Sequence, residues 1–239
     1  MSVKPDHSLV TQMDLLIEAE LREMITSRFP SHGIIGEEQG EEGTDAEAVW
    51  ILDPIDGTAP FIAGLPVYGT LIALAIDGVP LLGIIDIPAV DCRWLGAPDR
   101  QTTCNGIPVR VRQCAELSLA MMTNGNRDYI PVADLHALEA LRAATATRVY
   151  GGSALSYGRL AEGRTDIALD AGQKVFDFAP FRPVIEGAGG LVTDWRGEPL
   201  TVNSSGHILA AGDRRVHEAA VALIADSGAD IISNQRVAG

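Results

Sequence analysis

The segment Trp50-Ile51-Leu52-Asp53-Pro54-Ile55-Asp56-Gly57-Thr58 constrains this 239-residue chain more than any other. An apolar run that ends in two carboxylates reads as a short buried strand delivering charge to its own end, where chemistry often sits in a sheet. Side chains on a regular strand alternate with a period of two, so residues three apart point to opposite faces. Asp53 and Asp56 therefore converge only if the chain turns between them, and Pro54 favours a turn by fixing φ. Such a turn makes a cup for a cation. Magnesium takes oxygen ligands at about 2.0 to 2.1 Å and usually keeps waters and phosphate oxygens in its shell. Gly57-Thr58 then opens a helix whose free amides can hold a phosphate, with the Thr58 hydroxyl placed to orient a water.

Asp-Pro and Asp-Gly are also ordinary turn formers, and an isolated pair carries little weight. Two further places add to it. Gly36-Glu37-Glu38 follows the apolar pair Ile34-Ile35, and Asp177 lies in Val175-Phe176-Asp177-Phe178-Ala179, where a lone charge is costly. Glu41 and Glu42 leave a solvated acidic loop as the alternative at Glu37 and Glu38, and Asp177 also reads as a helix N-cap. The conjunction favours a metal site.

Along the chain, the spacing of Leu15, Ile17, Leu21, Met24, Ile25 and Phe29 predicts a helix from Asp14 to Phe29, capped by Thr11 or Asp14. Tyr68 to Ile76 and Pro80 to Ile87 flank Asp77-Gly78 as a hairpin. Strands are expected at Arg93 to Ala97, Val109 to Arg112 and Leu119 to Met122, and a helix from Ala133 to Ala144. After Tyr150 the pattern alternates: helix at 154 to 162, strand at 165 to 169, helix at 178 to 188, strand at 191 to 194, strand at 207 to 211 and helix at 214 to 225. Asp226 to Gly239 reads as a loose tail.

Composition excludes several classes. The net charge of −14 would repel a phosphate backbone, so no nucleic-acid partner is expected, and no apolar run approaches the roughly 20 residues of a membrane span. Met1 to Val10 does not read as a secretory signal, and the three cysteines, Cys92, Cys104 and Cys114, fit no disulfide framework or zinc spacing, so a cytoplasmic protein with reduced thiols is expected. The histidines show no i,i+4 pair for zinc, and no G-x-G-x-x-G follows a strand.

Gly36-Glu37-Glu38, Asp53-Pro54-Ile55-Asp56-Gly57-Thr58, and Asp177 with Glu186-Gly187-Ala188-Gly189-Gly190 together resemble the inositol monophosphatase superfamily across nearly the whole chain. Lys4-Pro5-Asp6 with Val10-Thr11 and Asp14 is similar to that family's opening motif. The resemblance implies an α+β fold in layers, α-β-α-β-α. One compact unit would place the metal site between a mixed α+β part, residues 1–150, and an α/β part, residues 151–239. It implies that Glu37, Asp53 and the Ile55 carbonyl hold one magnesium and that Asp53, Asp56 and Asp177 hold another, with a third, looser ion near Glu37. Asp14 and Thr58, with Glu37, would serve catalysis by orienting the attacking water, and Gly57, Thr58, Ser153 and Asp170 would face the substrate. Relatives are commonly homodimers. They usually carry an additional helix ahead of the segment matching Lys4, and here Met1 is almost adjacent, so the expectation is either a shortened form of a longer chain or, if the native chain begins at Met1, an outer layer with one part missing.

Phe61-Ile62-Ala63-Gly64-Leu65-Pro66, Gly69-Thr70-Leu71-Ile72-Ala73-Leu74 and Gly189-Gly190-Leu191-Val192-Thr193-Asp194-Trp195 look most like histidinol-phosphate phosphatases. That subgroup usually has aspartate after the Gly-Gly pair and glutamate seven residues before the last metal aspartate, where this chain has Ser153 and Asp170. Gly152-Ser153-Ala154 looks more like the inositol-phosphate type. A histidinol-phosphate phosphatase is the leading expectation, an inositol-1-phosphate or broad-specificity sugar phosphatase the alternative, and a catalytically silent metal- or partner-binding protein the reading from another class. A phosphoenzyme route through Asp-x-Asp-Gly-Thr fits less well, because two residues rather than one separate Asp53 from Asp56.

Overall fold

The computed structural model describes residues 2–3 and 9–228, and the Lys4-Pro5-Asp6 motif and the tail after Gly228 lie outside the described residues. β1 (Ser2–Val3) pairs with β2 (Leu9–Val10), and helix α1 (Gln12–Arg28) follows. Its start is a capping box: the Thr11 hydroxyl accepts from the Met13 amide while the Asp14 carboxylate accepts from the Thr11 amide at 2.8 Å. The face that α1 buries is not the apolar one. Asp14, Glu18 and Ile25 are buried, whereas Met13, Leu15, Leu16 and Met24 are about half exposed. The sequence pattern locates this helix and misassigns its inner face.

The first sheet takes β3 (Gly33–Gly36), β4 (Gly40–Glu42), β5 (Ala48–Asp56), then, after helix α2 (Thr58–Ala63), β6 (Gly69–Ile76), β7 (Val79–Ile87), β8 (Cys92–Gly96), β9 (Thr103–Cys104) and β10 (Ile107–Pro108). Its order is β10-β9-β8-β7-β6-β5-β3-β4, antiparallel except for the parallel pair β3 and β5. The β6–β7 hairpin turns through Asp77 and Gly78, both at positive φ (48° and 76°), as the expected two-residue turn requires. The expected turn between Asp53 and Asp56 is instead a bulge within β5. Asp53 opposes Leu71 and Asp56 opposes Gly69, three steps on β5 against two on β6. The extra residue absorbs the odd offset, so both carboxylates reach one face without the strand ending.

The second sheet uses β11 (Met121–Asn124), β12 (Thr147–Tyr150), β13 (Ile167–Asp170), β14 (Leu191–Thr193) and β15 (Ile208–Ala211), in the order β12-β11-β13-β15-β14. Between them run α3 (Leu135–Ala144), α4 (Ser153–Ala161), α5 (Val175–Phe178) and α6 (Phe181–Gly187), with α7 (Arg214–Asp226) after β15. Because β11 and β12 pair in parallel with each other and β11 with β13, the sheet boundary falls before Met121 and not at Tyr150. Two other expectations are corrected. Val109 to Arg112 is not a strand, and the helix expected over 178 to 188 is two helices, since Pro180 has no amide to extend the first.

These elements stack as α1, first sheet, α4 with α5 and α6, second sheet, and α3 with α7, the five layers expected. Trp94, Tyr157, Leu160, Phe178, Phe181 and Val184 fill the space between the sheets. A side chain at Gly83 or Gly96 would collide with the carbonyls of Pro180 or Pro183, so glycine on β7 and β8 lets α6 lie directly on the sheet. That contact seats the segment from Asp177 to Phe181 beside the bulge of β5.

Candidate active site

A cavity of about 1600 Å³ opens where β5, α2, α4, β13 and α5 meet. Glu37, Asp53, Ile55, Asp56, Gly57, Thr58, Ser153, Asp170 and Asp177 all line it. Residues as far apart in sequence as Glu37 and Asp177 are thus brought to one cavity by the two sheets. Asp14 does not line the cavity; it is buried in the first turn of α1.

Asp53 is the centre of the acidic group, 1% exposed, with Oδ1 buried and without a hydrogen-bond partner. Burial, with the charges of Glu37, Asp56 and Asp177 beside it, holds its carboxyl well above the usual range. Asp56 accepts the Ala154 amide at 2.8 Å, tying the start of α4 to the end of β5; burial still pushes it up to about 7, with Asp170 and Glu37 adding to the rise. Asp177 accepts the Lys174 amide at 2.6 Å, and burial, then Asp56 and Glu37, push it up to about 8. Among the described residues no three His, Cys, Asp or Glu side chains draw onto a single point; the carboxylates stand as mutually repelling neighbours around Asp53. All their donor atoms are oxygen, and Asp53 Oδ1 is buried without a hydrogen-bond partner. That set fits a hard divalent cation, which would remove the repulsion.

The loop carrying Glu37 is held from below. Glu18 on α1 is fully buried, and its carboxylate accepts the amides of Glu38 at 2.7 Å and Gln39 at 3.0 Å. Arg22, one turn on, donates to Glu18 at 2.8 Å and to the Gly40 carbonyl. These two residues escaped the sequence reading. The signal available was a Glu–Arg pair at i,i+4, which more often marks a solvated helix face.

Thr58 opens α2 after Gly57, which caps it in the left-handed conformation at φ 76°. Its hydroxyl donates to the Ile55 carbonyl at 3.1 Å, and no hydrogen bond between Thr58 and Asp14 is formed among the described residues. The Thr11 hydroxyl and amide both meet Asp14 Oδ2, leaving Oδ1 buried and unpaired. Ser153 begins α4 at φ 45°, and a side chain at Gly57 would press on its hydroxyl, so Ser153 lies directly against the threonine loop. Asp170, at the end of β13, accepts from Asn124 Nδ2 at 2.8 Å, the Gly125 amide at 2.9 Å and the Tyr157 hydroxyl at 2.7 Å. Burial raises it to about 6 despite those three donors. Asn124 and Tyr157 were also invisible in the sequence, because the parallel pairing of β11 with β13 sets the first beside Asp170 and the packing of α4 on β13 sets the second.

Three of the four described histidines have structural partners. His32 accepts the Trp50 indole N–H at 3.0 Å, His207 meets Asp134 at 2.9 Å and His217 meets Thr193 at 2.8 Å. None adjoins the carboxylate group.

Two sheets enclosed by helices, with buried carboxylates and a glycine–threonine helix start facing one cavity between them, define a layered α+β phosphatase. Residues 2–229 match the inositol monophosphatase family, and the chain belongs to that family of phosphoric monoester hydrolases. It is 40% identical over 229 residues to the chloroplastic bifunctional phosphatase IMPL2 of Arabidopsis thaliana, covering 91% of this chain and 66% of that protein, so it spans about two thirds of that relative's length. It is 33% identical over 209 residues to the histidinol-phosphatase of Chlorobaculum parvum, covering 87% of this chain and 80% of that one. An inositol monophosphatase from Zymomonas mobilis superposes with a TM-score of 0.86 at 37% identity, over 94% of this chain and 87% of that chain.

Proposed function

We propose that this protein hydrolyses a small phosphate monoester with the aid of magnesium, with histidinol phosphate the first substrate to test and inositol 1-phosphate or a sugar phosphate the alternative. The observation that carries the reading is Asp53: a buried carboxylate with an unpaired oxygen, crowded by Glu37, Asp56 and Asp177 at the wall of a cavity large enough for such an ester. Glu37, Asp53, Asp56, Asp177 and the Ile55 carbonyl would hold two magnesium ions, with a third near Glu37. When bound, magnesium supplies charge neutralisation to the attacking and leaving oxygens of an in-line displacement.

The chain's own residues do the rest. Thr58 lines the cavity and Asp14 carries a buried carboxylate oxygen without a hydrogen-bond partner, and we assign the pair to orienting the attacking water. Gly57 lets the backbone approach the phosphate, and Ser153 and Asp170 face the leaving group. Ser153 offers a neutral hydrogen bond where an aspartate would offer charge, and this residue is what keeps a hydroxylated leaving group, as in inositol 1-phosphate, as the alternative.

No helix among the described residues is long and apolar enough to cross a membrane. Cytoplasmic residence and a homodimer are part of the same proposal. The three described thiols are free, and Val149 and Tyr150 expose apolar surface on the edge strand β12. Analytical ultracentrifugation tests the dimer. Steady-state kcat/KM on histidinol phosphate, inositol 1-phosphate and glucose 1-phosphate tests the substrate, and a tenfold preference for the first selects the histidinol reading. Equal rates on all three would favour the broad-specificity alternative.

A further inference from the structure

Asp170 is a carboxylate with few acceptor places left. A carboxylate offers about four lone-pair sites, two on each oxygen. Oδ1 takes two hydrogens, from Asn124 Nδ2 at 2.8 Å and from the Gly125 amide at 2.9 Å. Oδ2 takes one, from the Tyr157 hydroxyl at 2.7 Å. Asn124 is itself fixed, since the same nitrogen donates to the Leu169 carbonyl at 2.7 Å. The tyrosine has little freedom either. It is 2% exposed on α4, and its ring stacks on Phe181 with centroids 3.7 Å apart and planes 10° apart. Burial, then the Asp170 charge, raise the phenol well above its ordinary range, so it stays a donor at any working pH.

We infer that Tyr157 is a positioning residue for substrate selection: with Asn124 and Gly125 it locks Asp170 so that one acceptor site on Oδ2 is left for a single N–H or O–H of the leaving group. The inference rests on the phosphatase reading above and deepens it. Both Tyr157 and Asp170 line the cavity, on the wall formed by α4 and β13, while Asp53 and Thr58 line it from the first sheet. An ester whose leaving group carries a donor at that place gains a preset partner there. An aryl phosphate with no such donor gains nothing. The shared chemistry is one hydrogen-bond donor; a hydroxyl and an ammonium are its two sources.

The test is Tyr157→Phe, which keeps the ring stacked on Phe181 and removes only the hydroxyl. Magnesium-supported kcat/KM is measured for inositol 1-phosphate, histidinol phosphate and 4-nitrophenyl phosphate. Selectivity for the preferred donor-bearing ester over the aryl ester should fall about tenfold, the size of one hydrogen bond to a charged group, and the fall should lie in KM rather than kcat. Which of the two donor-bearing esters suffers names the source as hydroxyl or ammonium. In an Asp170→Asn background the same substitution should change selectivity by less than twofold, because Tyr157 acts through Asp170. An unchanged selectivity ratio, or equal losses in both backgrounds, overturns the role of Tyr157. Release from the aryl ester by the parent reports the phosphatase reading itself, and if the parent releases no phosphate, that reading fails and this inference with it.

Discussion

Replacing Glu18 by alanine removes the acceptor under the loop that carries Glu37. Two backbone amides, those of Glu38 and Gln39, lose carboxylate partners at 2.7 and 3.0 Å, and Arg22 loses its pair at 2.8 Å. Hydrogen bonds to a charged group are each worth about 1.5 to 3 kcal/mol, so the two amides alone represent roughly 3 to 6 kcal/mol. Glu38 and Gln39 reach solvent, and water there recovers part of this, leaving a loss of about 3 to 4 kcal/mol. For a chain of this length that lowers Tm by roughly 6 to 16 °C. The function changes separately from the fold. Supports beneath metal ligands are typically worth about 10- to 100-fold in metal affinity, so the magnesium concentration for half-maximal phosphate release should rise at least about tenfold. Thermal melts and magnesium titrations of parent and Glu18→Ala measure both. A variant that melts within 2 °C of the parent and keeps its magnesium requirement would refute the role assigned to Glu18.

Asp53→Asn should lower kcat at least about 100-fold and yet raise the cation-free Tm, because it removes a buried charge from a repelling group; a drop in Tm would contradict the electrostatic account. Magnesium should stabilise more as pH rises. With Asp56 raised to about 7 and Asp177 to about 8 from 3.8, the cation-free fold holds more protons than the unfolded chain between about pH 4 and 8, so its stability falls through that window. The Tm increase on adding magnesium should therefore be larger at pH 8 than at pH 5, and the reverse order in differential scanning fluorimetry would sink it. Ser153→Asp, at a position whose φ of 45° an aspartate tolerates, should shift kcat/KM toward histidinol phosphate over inositol 1-phosphate. An unchanged ratio would remove Ser153 from selection.

The parts of the fold that were legible are those whose signal is local. The Asp77-Gly78 hairpin, the Thr11 cap and the helix start at Gly57-Thr58 each rest on a few adjacent residues, and each is found where expected. The inner face of α1 was misread because it is polar for a reason outside the helix: Glu18 serves the loop at 36–40 and leaves Leu15, Leu16 and Met24 outward. The bulge at Asp53–Asp56 was anticipated as a need for convergence and mistaken in form, since a proline after an acidic residue does not distinguish a turn from an extra residue in a continuing strand. The expected division near Tyr150 does not coincide with the boundary between the sheets for a similar reason: β11 and β12 look like the end of the antiparallel part until the parallel pairing of β11 with both β12 and β13 is known. The carboxylates assigned to metal do line one cavity, while the partners that hold them, Glu18, Ala154 and Lys174, are set by tertiary contacts that no short motif encodes.

The central claim is that the group around Asp53 works only with a divalent cation in phosphate-ester hydrolysis. Phosphate release from 4-nitrophenyl phosphate and from histidinol phosphate, with magnesium and with a chelator, in the parent and in Asp53→Asn, tests it most directly. The account predicts release by the parent with magnesium, loss of that release with the chelator, and loss in Asp53→Asn under both conditions. Full release in the presence of chelator, or from Asp53→Asn, would contradict it.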